Sequence, residues 1–136
     1  MRIKLDPWGK LPTRAHSTDA GYDLYAPERV VVPARGSVTI NTGVHVQLPH
    51  GTAGIIISKS GLNIKHNITS TGLIDQGYTG AINIKLYNHG TTDYTVEAGD
   101  RISQLAIVHI MTTSLEVVDE LAPTDRGDGG LGSTGK

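Results

Sequence analysis

An all-β domain, a jelly-roll-like barrel or sandwich of short strands, is the class this sequence predicts, and three observations predict it. Apolar and polar residues alternate with period two over Val38 to Leu48 and over Ile82 to Leu86. Short apolar runs at Val30 to Val32, Gly54 to Ile57 and Leu105 to Ile110 are punctuated by Pro and Gly. No stretch of helical period exceeds two turns.

In chain order, Val30 to Val32 reads as a strand stopped by Pro33. Val38 and Ile40, then Val44, Val46 and Leu48, read as half-buried antiparallel strand on either side of Asn41-Thr42-Gly43. Pro49-His50-Gly51 turns the chain into Gly54 to Ile57. The best helix is Ser60 to His66, with Ser60 as its N-cap. Ile82, Ile84 and Leu86 alternate with Asn83 and Lys85 up to a turn at Asn88-His89-Gly90. Ala98-Gly99 precedes the last apolar run, Leu105 to Ile110. The three continuous runs are expected to be strands buried on both faces.

At 136 residues the chain is one domain, with no linker and no internal repeat. It has no cysteine, hence no disulfide framework or thiolate metal site, which suits a reducing compartment. A net charge of -1 offers no basic patch for nucleic acid. The first residues, MRIKLDPWGK, contain no apolar run of a signal peptide or membrane span. The expectation is a soluble cytoplasmic protein without stable nucleic-acid or membrane binding. His16, His45, His50, His66, His89 and His109 are scattered, without metal-ligand spacing, and read as structural or surface groups. Composition shifts only near the end, dividing a domain over 1–121 from a glycine-rich arm over 122–136. Gly130 to Lys136 has the GxxxxGK spacing of a phosphate-cradling loop, but lacks the preceding strand, the following Ser or Thr and the helix that such a loop requires.

Five segments carry more than turn chemistry. Ala20 to Ala26 sets a carboxylate, Asp23, in an apolar loop, and Ser58-Lys59-Ser60-Gly61-Leu62 presents a cation, hydroxyls and amides suited to an anion. Gly72 to Gly80 is a glycine-bounded hairpin bearing Asp75 and Tyr78. Gly99 to Leu105 leads a turn into a strand carrying Gln104, and the tail runs from Arg126 through Gly135. Each has a plainer reading: Asp23 and Asp100 as turn formers, Ser60 as a cap, Tyr78 as core, Lys59 as surface, the tail as a disordered end.

Taken in order, from residue 20 to residue 135, the five segments resemble the five motifs of the homotrimeric deoxyuridine triphosphatases (dUTPases). The resemblance implies a jelly roll, active sites shared among three subunits, and a C-terminal arm that closes over the nucleotide. It implies hydrolysis of dUTP to dUMP and pyrophosphate, which keeps uracil out of DNA and supplies dUMP. Asp75 matches the carboxylate that activates the attacking water, and Tyr78 the aromatic packed on deoxyribose. Gly72, Leu73 and Ile74 match the backbone that reads the uracil edge. Lys59, Ser60, Gly61 and Gln104 fall at phosphate contacts, as do Arg126, Ser133 and Thr134 of the arm. Magnesium is implied chiefly by the triphosphate, with Asp23 reaching it through water.

The chain departs from the family pattern at Lys59, where Arg is usual, and at Leu131, where Phe usually covers the uracil. Lys keeps the charge without the planar fork, and Leu forgoes a stacking contact worth roughly 1 kcal/mol. Asn63 stands where a small apolar residue is more frequent. The resemblance leaves a second class open, a nucleotide-gated regulator that binds a protein partner, as for family members of viral origin, which would act in the host cytoplasm. A third, the related dCTP deaminase, needs a Glu that the hairpin does not offer.

Overall fold

The computed structural model describes residues 1–130. Its strands are β1 (Arg2–Leu5), β2 (Gly21–Tyr25), β3 (Val30–Val32), β4 (Ser37–Gln47), β5 (Thr52–Ile57), β6 (Ile68–Ile74), β7 (Ala81–Asn88), β8 (Tyr94–Val96) and β9 (Arg101–His109), with a single helix, α1 (Ser60–His66). Seven strands form one sheet in the order β1-β4-β7-β6-β5-β9-β2, and β3 pairs with β8. Every pairing is antiparallel. The predicted all-β class holds, as a curled sheet whose edge strands β1 and β2 do not pair to close a barrel.

Alternation works as read. Ile82, Ile84 and Leu86 on β7 are wholly buried, and with Leu24, Val32, Val44, Ile102 and Leu105 they make the core. On β4 the register slips between Asn41↔Asn83 and His45↔Ala81. Four residues of β4 thus span two of β7, and the excess of two preserves the phase, so Ile40, Val44 and Val46 all bury. Gly54 lets β5 sit close to its neighbours: a Cβ there would lie 2.8 Å from Leu105 Cδ1 and 3.1 Å from Ile74 Cβ. Asn88 closes the turn after β7, accepting from the Gly90 amide and donating to the Val32 and Thr92 carbonyls.

The structure corrects four readings. Val31, Ile57 and Val108 are exposed in the single chain, so the continuous apolar runs are not buried on both faces; each strand has only one face on the core. Ser60 is the first helical residue, while Lys59 holds the N-cap position with no side-chain cap bond. Ala20 to Ala26 is largely strand β2 rather than a loop, so Asp23 is no turn former. Tyr78 is exposed rather than core. Residues 110–130 form neither helix nor strand, and Met111, Leu115, Val117 and Leu121 there are 87–100% exposed, so nothing among the described residues covers them.

Candidate active site

Asp23 lies on β2 directly opposite Gln104 of β9, with its side chain turned inward and 5% of the residue exposed. A carboxylate so far from water needs partners. It has three: Lys59 Nζ in a short ion pair and Gln104 Nε2 at 3.3 Å both donate to Oδ1, and an Arg101 guanidinium nitrogen donates to Oδ2 from 3.4 Å. Lys59 is therefore a tethered cation, against its plainer reading as solvated surface. Asp100 does serve its turn, accepting from the Glu97 amide.

The loop carrying Lys59 is seated on a hydroxyl lattice. Ser58 Oγ donates to the Ser70 carbonyl and accepts from the Ser70 amide, Ser70 Oγ and Ser103 Oγ are 2.7 Å apart, and Ser103 Oγ also lies 2.9 Å from the Ile57 carbonyl. These contacts tie β5, β6 and β9 together beneath the start of α1. Above them Ser60 and Gly61 are exposed, no acid occupies the first helical turn, and a Cβ at Gly61 would meet nothing within 4 Å. Nothing in the packing of the described residues demands glycine there. Behind the loop, Tyr94 packs on His66 with ring centroids 4.9 Å apart. Burial, aided by the nearby Asp100 charge, pushes the Tyr94 phenol above its ordinary range and keeps it neutral.

A second feature forms where β6 and β7 part. They pair at Ile68↔Asn88, Thr69↔Tyr87 and Ser70↔Leu86, and there the ladder stops. Beyond it β6 continues on β5 and β7 continues on β4, leaving their facing backbone edges apart. The mouth of this slot is a pocket of about 190 Å³ lined by Leu73, Ile74, Asp75, Tyr78, Ala81 and Asn83. Asp75 is exposed at the end of β6, where its carbonyl accepts from the Tyr78 amide to form a tight turn. Tyr78 folds back over that turn and donates to the Ala81 carbonyl. It can do so because residue 80 is glycine: a Cβ there would lie 2.5 Å from the Tyr78 hydroxyl. Slot, carboxylate and aromatic thus stand together: parted backbone edges, an exposed ring and an exposed acid at one rim.

The predicted site residues thus fall into two groups. Leu73, Ile74, Asp75 and Tyr78 gather at the slot, with Gly72 opposite Ile56 just behind them on β6, while Asp23, Lys59, Ser60, Gly61 and Gln104 gather at the loop. The two groups sit at opposite ends of the same strand pair. Ile74 opposes Gly54, whereas Thr71 opposes Ile57 just before the loop. Asp75 is five steps along the chain from Ser70, on the order of 17 Å at strand spacing. Arg126 Nε donates to the Gly129 carbonyl within a local turn. Leu131, Ser133 and Thr134 lie outside the described residues. Sequence reasoning missed Arg101, adjacent to the turn former Asp100, and the paired serines Ser70 and Ser103. Only the registers that bring β5, β6 and β9 together reveal the serines.

Among the described residues, no three His, Cys, Asp or Glu side chains cluster as metal ligands. Asp23 suits an outer role: a carboxylate has about four lone-pair sites, and three are engaged.

This arrangement is that of an all-β nucleotide-binding protein. The chain belongs to the dUTPase family, whose profile matches residues 8–135. It is 44% identical over 135 residues to a deoxyuridine 5'-triphosphate nucleotidohydrolase of Clostridium acetobutylicum, covering 97% of this chain and 93% of the relative. It is 41% identical over 133 residues to one of Candida albicans, covering 96% and 84%. Among solved structures it resembles the dUTPase of Staphylococcus bacteriophage 80alpha with dUpNHpp, at TM-score 0.90 and 34% identity, covering 99% of this chain and 98% of that one. It also resembles a variant dUTPase of the S. aureus phage phi11 that coordinates a structural Mg(II) ion, at TM-score 0.81 and 31% identity, covering 88% and 96%. No helix among the described residues is long and apolar enough to cross a membrane.

Proposed function

We propose that this chain is a dUTP diphosphatase whose sites are built by several copies of it, on the observation that Asp75 stands at the mouth of the splayed β6–β7 slot beneath Tyr78. Uracil enters the slot and pairs with backbone around Gly72 to Ile74, and the narrow gap turns away the thymine methyl. Tyr78 packs on the sugar, where a 2′-hydroxyl would collide with the ring. Asp75 takes a proton from water; the water oxygen bonds to the α-phosphorus, the bond from α-phosphorus to the bridging oxygen breaks, and pyrophosphate leaves as dUMP remains.

The phosphates lie against a loop like that of Lys59, Ser60 and Gly61, with Gln104. In one chain that loop is too far along the strands from Asp75 to reach the same nucleotide. A second chain supplies it, and the arm, with Arg126, Leu131, Ser133 and Thr134, closes from a third. Three copies are the smallest ring with one such site per subunit boundary. The exposed apolar residues after β9 support an assembly that covers them. Asp23 would hold a magnesium ion through water, and the ion would supply neutralisation of charge on the triphosphate oxygens. The absence of cysteine supports action in the cytoplasm, a host's if the source is a virus.

The deciding assay is incubation with dUTP, dCTP and UTP, resolving products by chromatography. Release of dUMP and pyrophosphate from dUTP alone is expected. Deamination of dCTP, or no reaction with dUTP in magnesium, would refute the proposal.

A further inference from the structure

Thr79 follows the tyrosine that walls the slot, and among the described residues its carbonyl has one side-chain partner, the ring of His45. His45 sits on β4 where the register resumes opposite Ala81, and its Nδ1 is 2.9 Å from the Thr79 oxygen. A carbonyl only accepts, so Nδ1 carries the hydrogen. The other ring nitrogen, Nε2, is 3.3 Å from Asp6 Oδ1, just past β1. Asp6 is itself anchored, its amide donating to the Gly43 carbonyl. The imidazole is half-buried, 19% exposed, and so spans from the edge of the sheet to the turn bearing Tyr78.

We infer that His45 is a positioning residue for the slot: by holding the Thr79 carbonyl it fixes the turn from Tyr78 to Gly80, and through it the ring that meets the sugar. The inference rests on the proposed dUTP activity. The Tyr78 to Gly80 half of the turn has little else to hold it. At the start of the turn Gln76 Oε1 accepts from the Gly51 amide, but past it Gly77 and Gly80 flank Tyr78 and Thr79, and the other described contacts, the Asp75 to Tyr78 bond and the Tyr78 hydroxyl on Ala81, lie within the turn and the start of β7. The bond from His45 is the one that reaches this half from another strand, so it sets where that half sits against the sheet. Loss of it leaves the loop carboxylate and phosphate groups untouched and loosens the sugar wall.

Two substitutions separate the two ring nitrogens. In His45→Asn the side-chain amide takes the place of Nδ1 and can still donate to Thr79; in His45→Gln it takes the place of Nε2 and reaches toward Asp6. Steady-state kinetics on dUTP and UTP should show His45→Gln raising KM for dUTP about fivefold, the worth of one net hydrogen bond, with kcat within about twofold. Preference for dUTP over UTP should fall with it, and His45→Asn should restore both. His45→Gln with unchanged KM and unchanged preference would overturn the inference. So would His45→Asn behaving like His45→Gln, which would mark a role of bulk. The contact is also read without substitution, by ¹⁵N NMR of the wild-type protein labelled at histidine: a hydrogen on His45 Nδ1 supports it, and a bare Nδ1 overturns it. That spectrum decides the matter even if a variant fails to fold. A wild-type protein that leaves dUTP intact refutes the proposed activity and not the contact.

Discussion

Removing Asp23 should reveal that its two cations are held unequally. Lys59 keeps 21% of its side-chain surface and Arg101 keeps 55%, while Asp23 keeps 7%. Asp23→Ala deletes acceptors for Lys59, Gln104 and Arg101 at once. Loss of one partner of a fully buried pair costs about 3–5 kcal/mol, but both cations here can turn toward water, so about 2–4 kcal/mol is expected. Double-mutant cycles divide it. Coupling of Asp23→Ala with Lys59→Met should be roughly 1.5–3 kcal/mol, the range for charge-assisted bonds with little solvent between. Coupling with Arg101→Met should stay below about 1 kcal/mol, since solvent screens the exposed guanidinium at 3.4 Å. The assay is urea unfolding at one fixed protein concentration, because an assembling chain has concentration-dependent stability. Equal couplings, or a larger one for Arg101, would refute the reasoning from burial.

Gly80→Ala should displace the Tyr78 ring, whose hydroxyl a Cβ would approach to 2.5 Å, and raise KM for dUTP by roughly tenfold or more, read by steady-state kinetics. Ser103→Ala leaves Ser70 Oγ short of a buried partner and should destabilise by about 1–3 kcal/mol in denaturant unfolding. Asp75→Asn, at an exposed position, should leave the melting temperature within a degree or two while lowering turnover by about 10²-fold or more, as loss of a general base does. Deleting residues 122–136 should likewise cut turnover sharply while sparing the melting temperature, if that arm is a lid.

Much of the fold was legible because burial imposes period two on strands with one face in the core. Ile82, Ile84 and Leu86 show it directly. The irregularity on β4 stayed legible because its two extra residues left the alternation in phase. β2 was not legible: a carboxylate amid apolar residues reads as a loop unless its partners are known, and Lys59 and Arg101 are 36 and 78 positions away. Exposure of Ile57 and Val108 escaped notice because composition alone does not say which face of a strand meets the core. Of the site, the residue types and their order could be read from the chain. That the slot and the loop stand at opposite ends of β5 and β6 could not, because it depends on strand register.

That separation also supplies the most direct test of a site shared between chains. Asp75→Asn removes the proposed base of the slot, and Ser60→Ala combined with Gln104→Ala strips the loop. Each protein alone should be inactive on dUTP. Unfolded together in equal amounts and reassembled, they should form rings in which some sites draw Asp75 from one parent and the loop from the other. Random assembly should restore about a quarter of wild-type turnover, the share of boundaries at which both halves are intact in a cyclic trimer. A one-chain site predicts no recovery at any ratio, because every chain carries a defect. Recovery near a quarter is the result expected from the geometry of β5 and β6, and none, in a mixture shown by light scattering to have reassembled, would contradict it.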